Sequence, residues 1–264
     1  MKKNLIDGIN KKTMQASVAD YSALKGLSPP EEAALAACGD CVRGRPILDL
    51  GVGAGRTVEA LRAISADYIG VDYVEEMVAF CRRRFPGVRF EHADARSLTR
   101  FRDHTFALVV FACNGISMVD HAGRLAVLKT AHRLLEPGGF FIFSTYNRDN
   151  ALYKTWFRFP DFSFTKNPFK LAVRSARFCV QTATRAVNRV RLKPRERQTP
   201  EYAIVNDVCH DYATMLYYIS VDGQRAQLGA AGFLPRATVF DLSGREVAGD
   251  TPHDSLTYLA RKPF

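Results

Sequence analysis

The 264-residue sequence lacks the features that place a chain in a membrane or outside the cell. It has no apolar run of the roughly 18 residues that a membrane-spanning helix needs. Its first residues, beginning Met1-Lys-Lys-Asn-Leu, have no apolar core, so no signal peptide is predicted. We therefore expect a cytoplasmic protein.

Cysteine is present, but its pattern does not predict a metal or redox centre. Only Cys38 and Cys41 form a Cys-x-x-Cys pair among the cysteines at 38, 41, 81, 113, 179 and 209. No second pair and no histidine pair at metal-ligand spacing accompanies it. We predict no metal site and interpret both residues as reduced thiols at a helix end.

Acidic residues are scarce in one segment, which holds the whole basic excess of the chain. The net charge is +10, and residues 148–198 contain 13 Lys or Arg against 3 acids, which is also +10. Apolar residues recur there at helical spacing after Pro168: Phe169, Val173, Ala176, Val180, Ala183, Val187 and Val190. This stripe predicts a long amphipathic helix, covered by its own domain, by a second subunit or by a lipid surface.

A glycine-rich turn follows the first predicted buried strand, at Ile47 to Leu50. Gly51, Gly53 and Gly55 stand at spacing two. Such a turn lets the backbone bend sharply and brings a ligand close to the amides at the start of the next helix.

Carboxylates end or follow the next two predicted strands. Tyr68 to Asp72 reads as an apolar strand whose last residue could accept both hydroxyls of an adenosine ribose. A third strand, ending at His92, leads into Asp94-Ala95, and Leu134 to Gly139 forms the turn before the fifth strand.

With these residues, the chain resembles class I S-adenosylmethionine-dependent methyltransferases of the small-molecule type. The resemblance covers residues 45–147 and resumes more weakly near 212–264. Dinucleotide-binding domains carry Gly-x-Gly-x-x-Gly instead, and here Arg56 occupies the position of the last glycine. The resemblance implies an α/β, Rossmann-like sheet of seven strands, mostly parallel with an antiparallel last strand, and S-adenosylmethionine as cofactor, with S-adenosylhomocysteine as product.

One domain with an insertion is expected. We assign residues 1–44 to an N-terminal helical cap and residues 45–147 to the cofactor-binding half. Residues 148–212 would form a basic, partly helical lid, and residues 213–264 would complete the sheet.

The resemblance implies a set of cofactor contacts. Asp72 should hold the ribose, Asp94 the adenine amino group, the backbone of Gly51–Gly55 the methionine end and Arg56 its carboxylate. The full set is Tyr21, Asp49, Gly51, Gly53, Arg56, Asp72, Tyr73, Met77, Asp94, Ala95 and Phe111.

Acceptor residues are harder to assign from the sequence. We predict His210 as the general base, because an oxygen or nitrogen acceptor must lose a proton and a histidine suits that near neutral pH. The predicted acceptor pocket comprises Asn114, Tyr146, Asn147, Tyr212 and Tyr218. Cys113 lies near by, but Ala112 replaces the proline of cytosine C5 methyltransferases, so covalent catalysis is not predicted.

Four functions remain open from the sequence. The leading one is an O- or N-methyltransferase of small molecules that acts as a monomer or homodimer. A nucleic-acid methyltransferase is disfavoured because Cys113-Asn-Gly-Ile116 replaces the Asn/Asp-Pro-Pro-Tyr/Phe motif of that class. The basic helix also fits peripheral contact with a membrane and a lipid-linked acceptor. A non-catalytic protein that dimerises through the stripe is the last alternative.

Overall fold

The computed structural model describes residues 5–150, 155–249 and 251–264. Three helices precede the sheet: α1 (Leu5–Ala16), α2 (Val18–Ser22) and α3 (Pro29–Cys38). Five parallel strands follow: β1 (Ile47–Leu50), β2 (Tyr68–Asp72), β3 (Arg89–His92), β4 (Phe106–Phe111) and β5 (Leu135–Asn147). Their connections contain α4 (Val58–Ile64), α5 (Glu75–Arg84) and α6 (His121–Leu134).

The second half of the described chain begins with α7 (Pro168–Leu192). It continues with the strands β6 (Arg197–Gln198), β7 (Tyr202–Asn206) and β8 (Met215–Ile219), and then α8 (Val221–Ala230). The last two strands are β9 (Thr238–Phe240) and β10 (Ser255–Arg261).

The sheet confirms the predicted α/β architecture. Its main body has the order β3-β2-β1-β4-β5, with β10 antiparallel to β5 and β9 antiparallel to β10. Every residue of β1, β2 and β4 is buried, as expected for parallel strands covered by helices on both faces. Among the described residues, no helix combines the length and hydrophobicity needed to cross a membrane.

β5 is longer than its neighbour β4, and this sets the place of the inserted strands. β4 ends at Phe111, opposite Phe143, whereas β5 continues to Asn147. Tyr146 pairs with Ser255 of β10 on one side and with Tyr218 of β8 on the other. β8 therefore occupies the edge of β5 that β4 leaves free, at the carboxyl end of the sheet.

The boundary predicted at residue 212 falls within a β-hairpin. β8 pairs with β7 from Tyr202↔Ile219 to Asn206↔Met215, so both strands belong to one antiparallel hairpin. We therefore propose that the insertion extends to Ile219, with α8 as the first element after it.

The long helix α7 lies where the sequence predicted it. Its apolar side chains point away from the protein, whereas those of an amphipathic surface helix usually pack against the core. Its apolar stripe faces outward: Phe169 is 78% exposed, Val180 68%, Val187 65% and Val190 71%. Arg189 and Leu192 are its buried residues. Within the described part of the chain, the protein's own domain does not cover the stripe, so of the three predicted covers a second subunit and a lipid surface stay open.

Gly55 tests how tightly the glycine turn is packed. Its φ is +84°, and a Cβ there would overlap the Phe85 ring and lie 3.2 Å from Cys81 Sγ. We expect Gly55→Ala to lower the free energy of unfolding by about 2–4 kcal/mol, from left-handed strain plus overpacking. Gly44, with φ +69° and open space around its Cβ position, is the matched control. Gly44→Ala should cost only the strain, about 1–2 kcal/mol, in urea unfolding; equal losses would contradict this packing argument.

Candidate active site

A cavity of about 1030 Å³, partly open to solvent, lies at the carboxyl ends of β1, β2, β4 and β5. Twelve of the residues predicted from the sequence line it: Tyr21, Gly51, Gly53, Asp72, Tyr73, Met77, Asp94, Ala95, Phe111, Asn114, Tyr146 and His210. The topology thus gathers side chains that are up to 189 positions apart.

The Asp72 carboxylate is fixed at the tip of β2 by two backbone amides. Gly53 N donates to its Oδ2 at 2.9 Å, and Val74 N donates to its Oδ1 at 2.8 Å. Burial raises the pKa of Asp72 to about 6 in spite of these bonds. The group can therefore accept hydroxyl donors from a ligand, as long as it is ionised.

Gly53 leaves room for a ligand at the centre of the turn. Its φ is +56°, and the nearest protein atom to a Cβ built there is Gly51 O at 3.9 Å. The backbone therefore lies open towards the cavity, as a ligand that approaches it closely would require. Together with the Asp72 carboxylate, this opening fits the ribose and methionine parts of S-adenosylmethionine.

The other end of the cavity carries an acidic pair held by one arginine. Arg96 Nε donates to Asp94 Oδ1 at 2.9 Å, and Arg96 Nη1 donates to Asp7 Oδ2. Partial burial alone would raise the pKa of Asp94, but its bonds to Arg96 lower it. Asp7 Oδ1 is buried and has no hydrogen-bond partner, so it remains available to a donor in the cavity.

Asp7 and Met14 line the cavity from α1, and the sequence analysis missed both. Asp7, Asn10 and Met14 fall at i, i+3 and i+7, which places them on one helix face. Asn10 is fully buried and donates to Met118 O and Met215 O, so it fixes that face against the body of the protein. The i, i+3, i+7 spacing of these residues could have shown in the sequence that they share one helix face. Such a face does not by itself indicate that a ligand binds there.

Asp49 does not face the cavity, so its prediction as a cofactor contact needs correction. Its Oδ2 accepts hydrogen bonds from Thr57 Oγ1 at 2.5 Å and from Tyr68 OH at 2.8 Å. Thr57 precedes α4, and Tyr68 begins β2. Asp49 therefore stabilises the conformation of the glycine turn by joining β1 to Thr57 and Tyr68. Any effect on a ligand would be indirect, through the position of that turn.

Arg56 also has a different partner from the predicted methionine carboxylate. Its Nη2 and Nη1 donate to the two Glu31 carboxylate oxygens at 2.6 and 2.8 Å, and Nη1 also donates to Gly26 O at 2.7 Å. The bidentate pair joins α3 to the glycine turn. The guanidinium is committed to these bonds and does not line the cavity.

His210 reaches the cavity from the turn between β7 and β8. Its Nδ1 lies 3.4 Å from Ser17 Oγ, and its Nε2 lies 3.2 Å from Tyr21 OH. Ser17 gives its one hydroxyl proton to Thr13 O at 3.0 Å, so its oxygen accepts from Nδ1–H. Nε2 therefore carries the lone pair of the ring, which accepts from Tyr21 OH in this structure. Burial lowers the pKa of His210 below its usual 6.5, which keeps the ring neutral at pH 7.

The backbone around His210 is held in an unusual conformation. His210, Asp211 and Tyr212 have φ values of +50°, +53° and +59°. Asp211 Oδ1 accepts from Gln181 Nε2 and Arg185 Nε, and Asp211 O accepts from Asn188 Nδ2; all three donors lie on α7. The packed face of α7 therefore fixes the turn that carries the predicted base.

A second cavity of about 570 Å³ meets the first at Tyr146. Tyr212 and Tyr218 line this second cavity, so the structure brings three of the predicted acceptor residues together. Tyr146 and Tyr218 stack with ring centroids 5.1 Å apart. Asn147 needs correction: its Nδ2 donates to Thr251 O and His253 O, and it lines neither cavity.

Two cysteines that were not predicted as site residues also line the first cavity. Burial raises the pKa of Cys113 and raises that of Cys209 to about 11. Both thiols are therefore protonated at neutral pH, which disfavours either one as a nucleophile.

Comparison with known proteins agrees with this geometry. Residues 47–139 match a family model described as a methyltransferase domain. A probable S-adenosylmethionine-dependent methyltransferase of Mycolicibacterium smegmatis is 32% identical over 106 residues, 40% of this chain and 39% of that protein. Residues 47–139 therefore belong to a methyltransferase domain of the S-adenosylmethionine-dependent type.

Two further relatives show how far the likeness extends. A ubiquinone biosynthesis O-methyltransferase of Methylococcus capsulatus is 32% identical over 115 residues, 42% of this chain and 47% of that protein. This methyltransferase domain thus spans less than half of the curated relatives it matches here. The solved structure of a 1,6-didemethyltoxoflavin-N1-methyltransferase from Burkholderia thailandensis superposes with a TM-score of 0.59 over 97% of this chain and 88% of that one. At 14% identity, it shows the shared fold alone.

The raised pKa of Asp72 leads to a pH-dependent affinity for the cofactor. We predict that the ribose hydroxyls of the cofactor donate to the carboxylate form of Asp72, and the protonated form dominates below pH about 6. We expect the Kd to rise towards about tenfold per pH unit as the pH falls below 6, because binding must then release a proton. Calorimetry from pH 5 to 8 would measure it. Asp72→Asn should bind more weakly, by about 1.5–3 kcal/mol at pH 7.5, and should lose the pH dependence; the same slope in the variant would assign it to another group.

Proposed function

We propose that the protein transfers the methyl group of S-adenosylmethionine to an oxygen or nitrogen atom of a small-molecule acceptor. The observation that carries this proposal is the position of His210. His210 lines the cofactor cavity, and the Sγ of its neighbour Cys209 lies 3.8 Å from the hydroxyl of Tyr146, which borders both cavities. A base at the junction of the donor and acceptor cavities is where such a reaction needs it.

The donor side of the reaction needs little more than binding and alignment. When bound, S-adenosylmethionine supplies an electrophilic methyl group whose transfer breaks the S–CH₃ bond and leaves a neutral thioether. Asp72 accepts the ribose hydroxyls, and the open backbone at Gly53 admits the methionine end. Asp7 Oδ1 and Asp94 are available to the adenine amino group. The largely apolar wall, including Met14, excludes water from the reacting atoms.

The acceptor side needs a group that takes up a proton. The acceptor O–H or N–H replaces the Tyr21 hydroxyl at His210 Nε2, and this nitrogen takes the acceptor proton as the new bond to carbon forms. Ser17 fixes the tautomer that leaves this nitrogen unprotonated, and Tyr21 orients the ring. The resulting imidazolium returns its proton to solvent after the products leave.

The second cavity supports a polar acceptor. Asn206, Asp207, Arg158 and Asp254 line it together with three tyrosines. Tyr218 OH donates to Asp207 Oδ2 at 2.8 Å, so this carboxylate is already ordered before an acceptor enters. We infer that the insertion acts as a lid, since its turn at residues 209–212 supplies walls to both cavities.

The names of the relatives support the same substrate class. One is named as an O-methyltransferase of ubiquinone biosynthesis and the other as an N1-methyltransferase of a toxoflavin precursor. Both names describe small molecules, and between them they cover oxygen and nitrogen acceptors.

His210→Ala tests the assignment of the base. We expect kcat to fall by about 10²–10⁴-fold, the usual contribution of a general base, while cofactor affinity stays within twofold of the wild type. His253→Ala is the matched control, because this half-buried histidine lines neither cavity. A kcat that is equal in the two variants would return His210 to a structural role.

The pH profile of kcat gives a second readout of the same group. With cofactor saturating, kcat of the wild type should fall by about tenfold per pH unit below the lowered pKa of His210, since the protonated ring cannot accept a proton. His210→Ala should lose this acidic limb. An unchanged limb in the variant would mean that another group takes up the proton.

A further inference from the structure

The outward face of α7 is the largest unexplained surface feature of the described chain. α7 has 25 residues, and seven apolar side chains follow one another along the side that faces away from the sheet. All seven are exposed: Phe169, Val173, Ala176, Val180, Ala183, Val187 and Val190. A contiguous apolar strip of this length is unusual on a surface that stays in water.

Polar contacts on the opposite side fix the rotation of α7. Arg189 is 4% exposed and donates to Trp156 O and to Glu196 Oε1, both at 2.7 Å. Arg185 Nε donates to Asp211 Oδ1 at 2.7 Å. If α7 turned its apolar strip inward, Arg185 and Arg189 would lose these partners, and breaking a buried charge pair is strongly destabilising. The outward orientation therefore follows from the packing.

The charge of α7 has one sign only. The helix contains six basic residues and no acidic ones: Lys170, Arg174, Arg177, Arg185, Arg189 and Arg191. Arg174, Arg185 and Arg189 are engaged with the rest of the chain. Lys170, Arg177 and Arg191 are exposed, and no acidic side chain in the described ranges forms an ion pair with them. The apolar strip is thus bordered by cations without counterions.

Exposed aromatic side chains also lie in the segment that precedes the helix. Trp156 is 67% exposed, Phe159 62% and Phe164 73%. Such residues favour the boundary between lipid headgroups and acyl chains, where a ring can be partly buried.

We propose that the outward face of α7, with the exposed aromatic residues that precede it, docks on an anionic lipid bilayer. The helix lies in the plane of the membrane surface, with its apolar strip in the headgroup–acyl boundary and its cations against lipid phosphates. An RNA would neutralise the cations but leave the valines hydrated. A second copy of this face would bring basic residues against basic residues, because α7 has no acid to offer them.

Docking would also bring the acceptor cavity to the membrane, a consequence that rests on the proposed function. Thr155 and Arg158, which flank the exposed Trp156 and the half-buried Phe157, line the second cavity. A bilayer that contacts these aromatic residues would lie beside the wall of that cavity. An acceptor dissolved in the membrane could then reach it without crossing water.

Vesicle co-sedimentation without cofactor or acceptor tests the docking directly. The wild type should bind vesicles of phosphatidylcholine mixed with phosphatidylglycerol, more weakly at high salt, and should bind phosphatidylcholine alone at least tenfold less. Val180→Glu with Val187→Glu should abolish binding. Leu234→Glu with Leu242→Glu adds the same two charges at exposed apolar positions elsewhere and should bind like the wild type. Lys170→Gln and Arg177→Gln should each weaken binding by about fivefold.

Other occupants of the face would give different results, and each overturns the proposal. Vesicle binding by the Val180→Glu, Val187→Glu variant that equals binding by the wild type would show that the apolar strip does not contact the membrane. No vesicle binding, together with a dimer that these substitutions break, would make the face a subunit contact. RNA binding that depends on Arg177 but not on the valines would assign the cations to nucleic acid. Because the assay contains no acceptor, its failure would leave the proposed methyl transfer untouched.

Discussion

The edge of β5 beyond the end of β4 is the constraint on which the site depends. A buried strand cannot leave its amides and carbonyls unpaired, because each unpaired group costs about 1–3 kcal/mol. β8 meets this demand at Tyr146 and Asn147. The inserted hairpin is therefore anchored to the carboxyl edge of the sheet, and the turn that carries His210 must lie over the cofactor cavity.

The N-terminal wall of the cavity depends on the same anchor. Asn10 of α1 donates to Met215 O and accepts from Met215 N, so α1 is joined to the first residue of β8. α1 supplies Asp7 and Met14, and α2 supplies Tyr21. Residues from the start of the described chain and from position 210 thus meet because both are attached to one hairpin.

The sequence predicted the elements whose pattern is local. Buried apolar runs gave the parallel strands, the glycine spacing gave the turn, and Asp72 followed from its place at the tip of β2. The errors arose where a side chain's direction depends on a distant partner. Arg56 is held by Glu31, Asp49 by Tyr68, and Asn147 by carbonyls near residue 252. Periodicity likewise located α7 but could not give its rotation, which Asp211 and Glu196 decide.

His210, Asp211 and Tyr212 have a left-handed backbone that depends on contacts with α7. The position of the predicted base thus depends on a helix that lies largely outside both cavities. Such conformations cost of order 1–3 kcal/mol each and persist only where their surroundings impose them. Here Gln181, Arg185 and Asn188 of α7 hold Asp211. A ligand that stabilises this position of α7 would therefore also stabilise the turn that carries His210. Thermodynamic linkage makes this coupling reciprocal: a ligand bound beside His210 changes, by the same factor, the affinity of α7 for whatever it contacts.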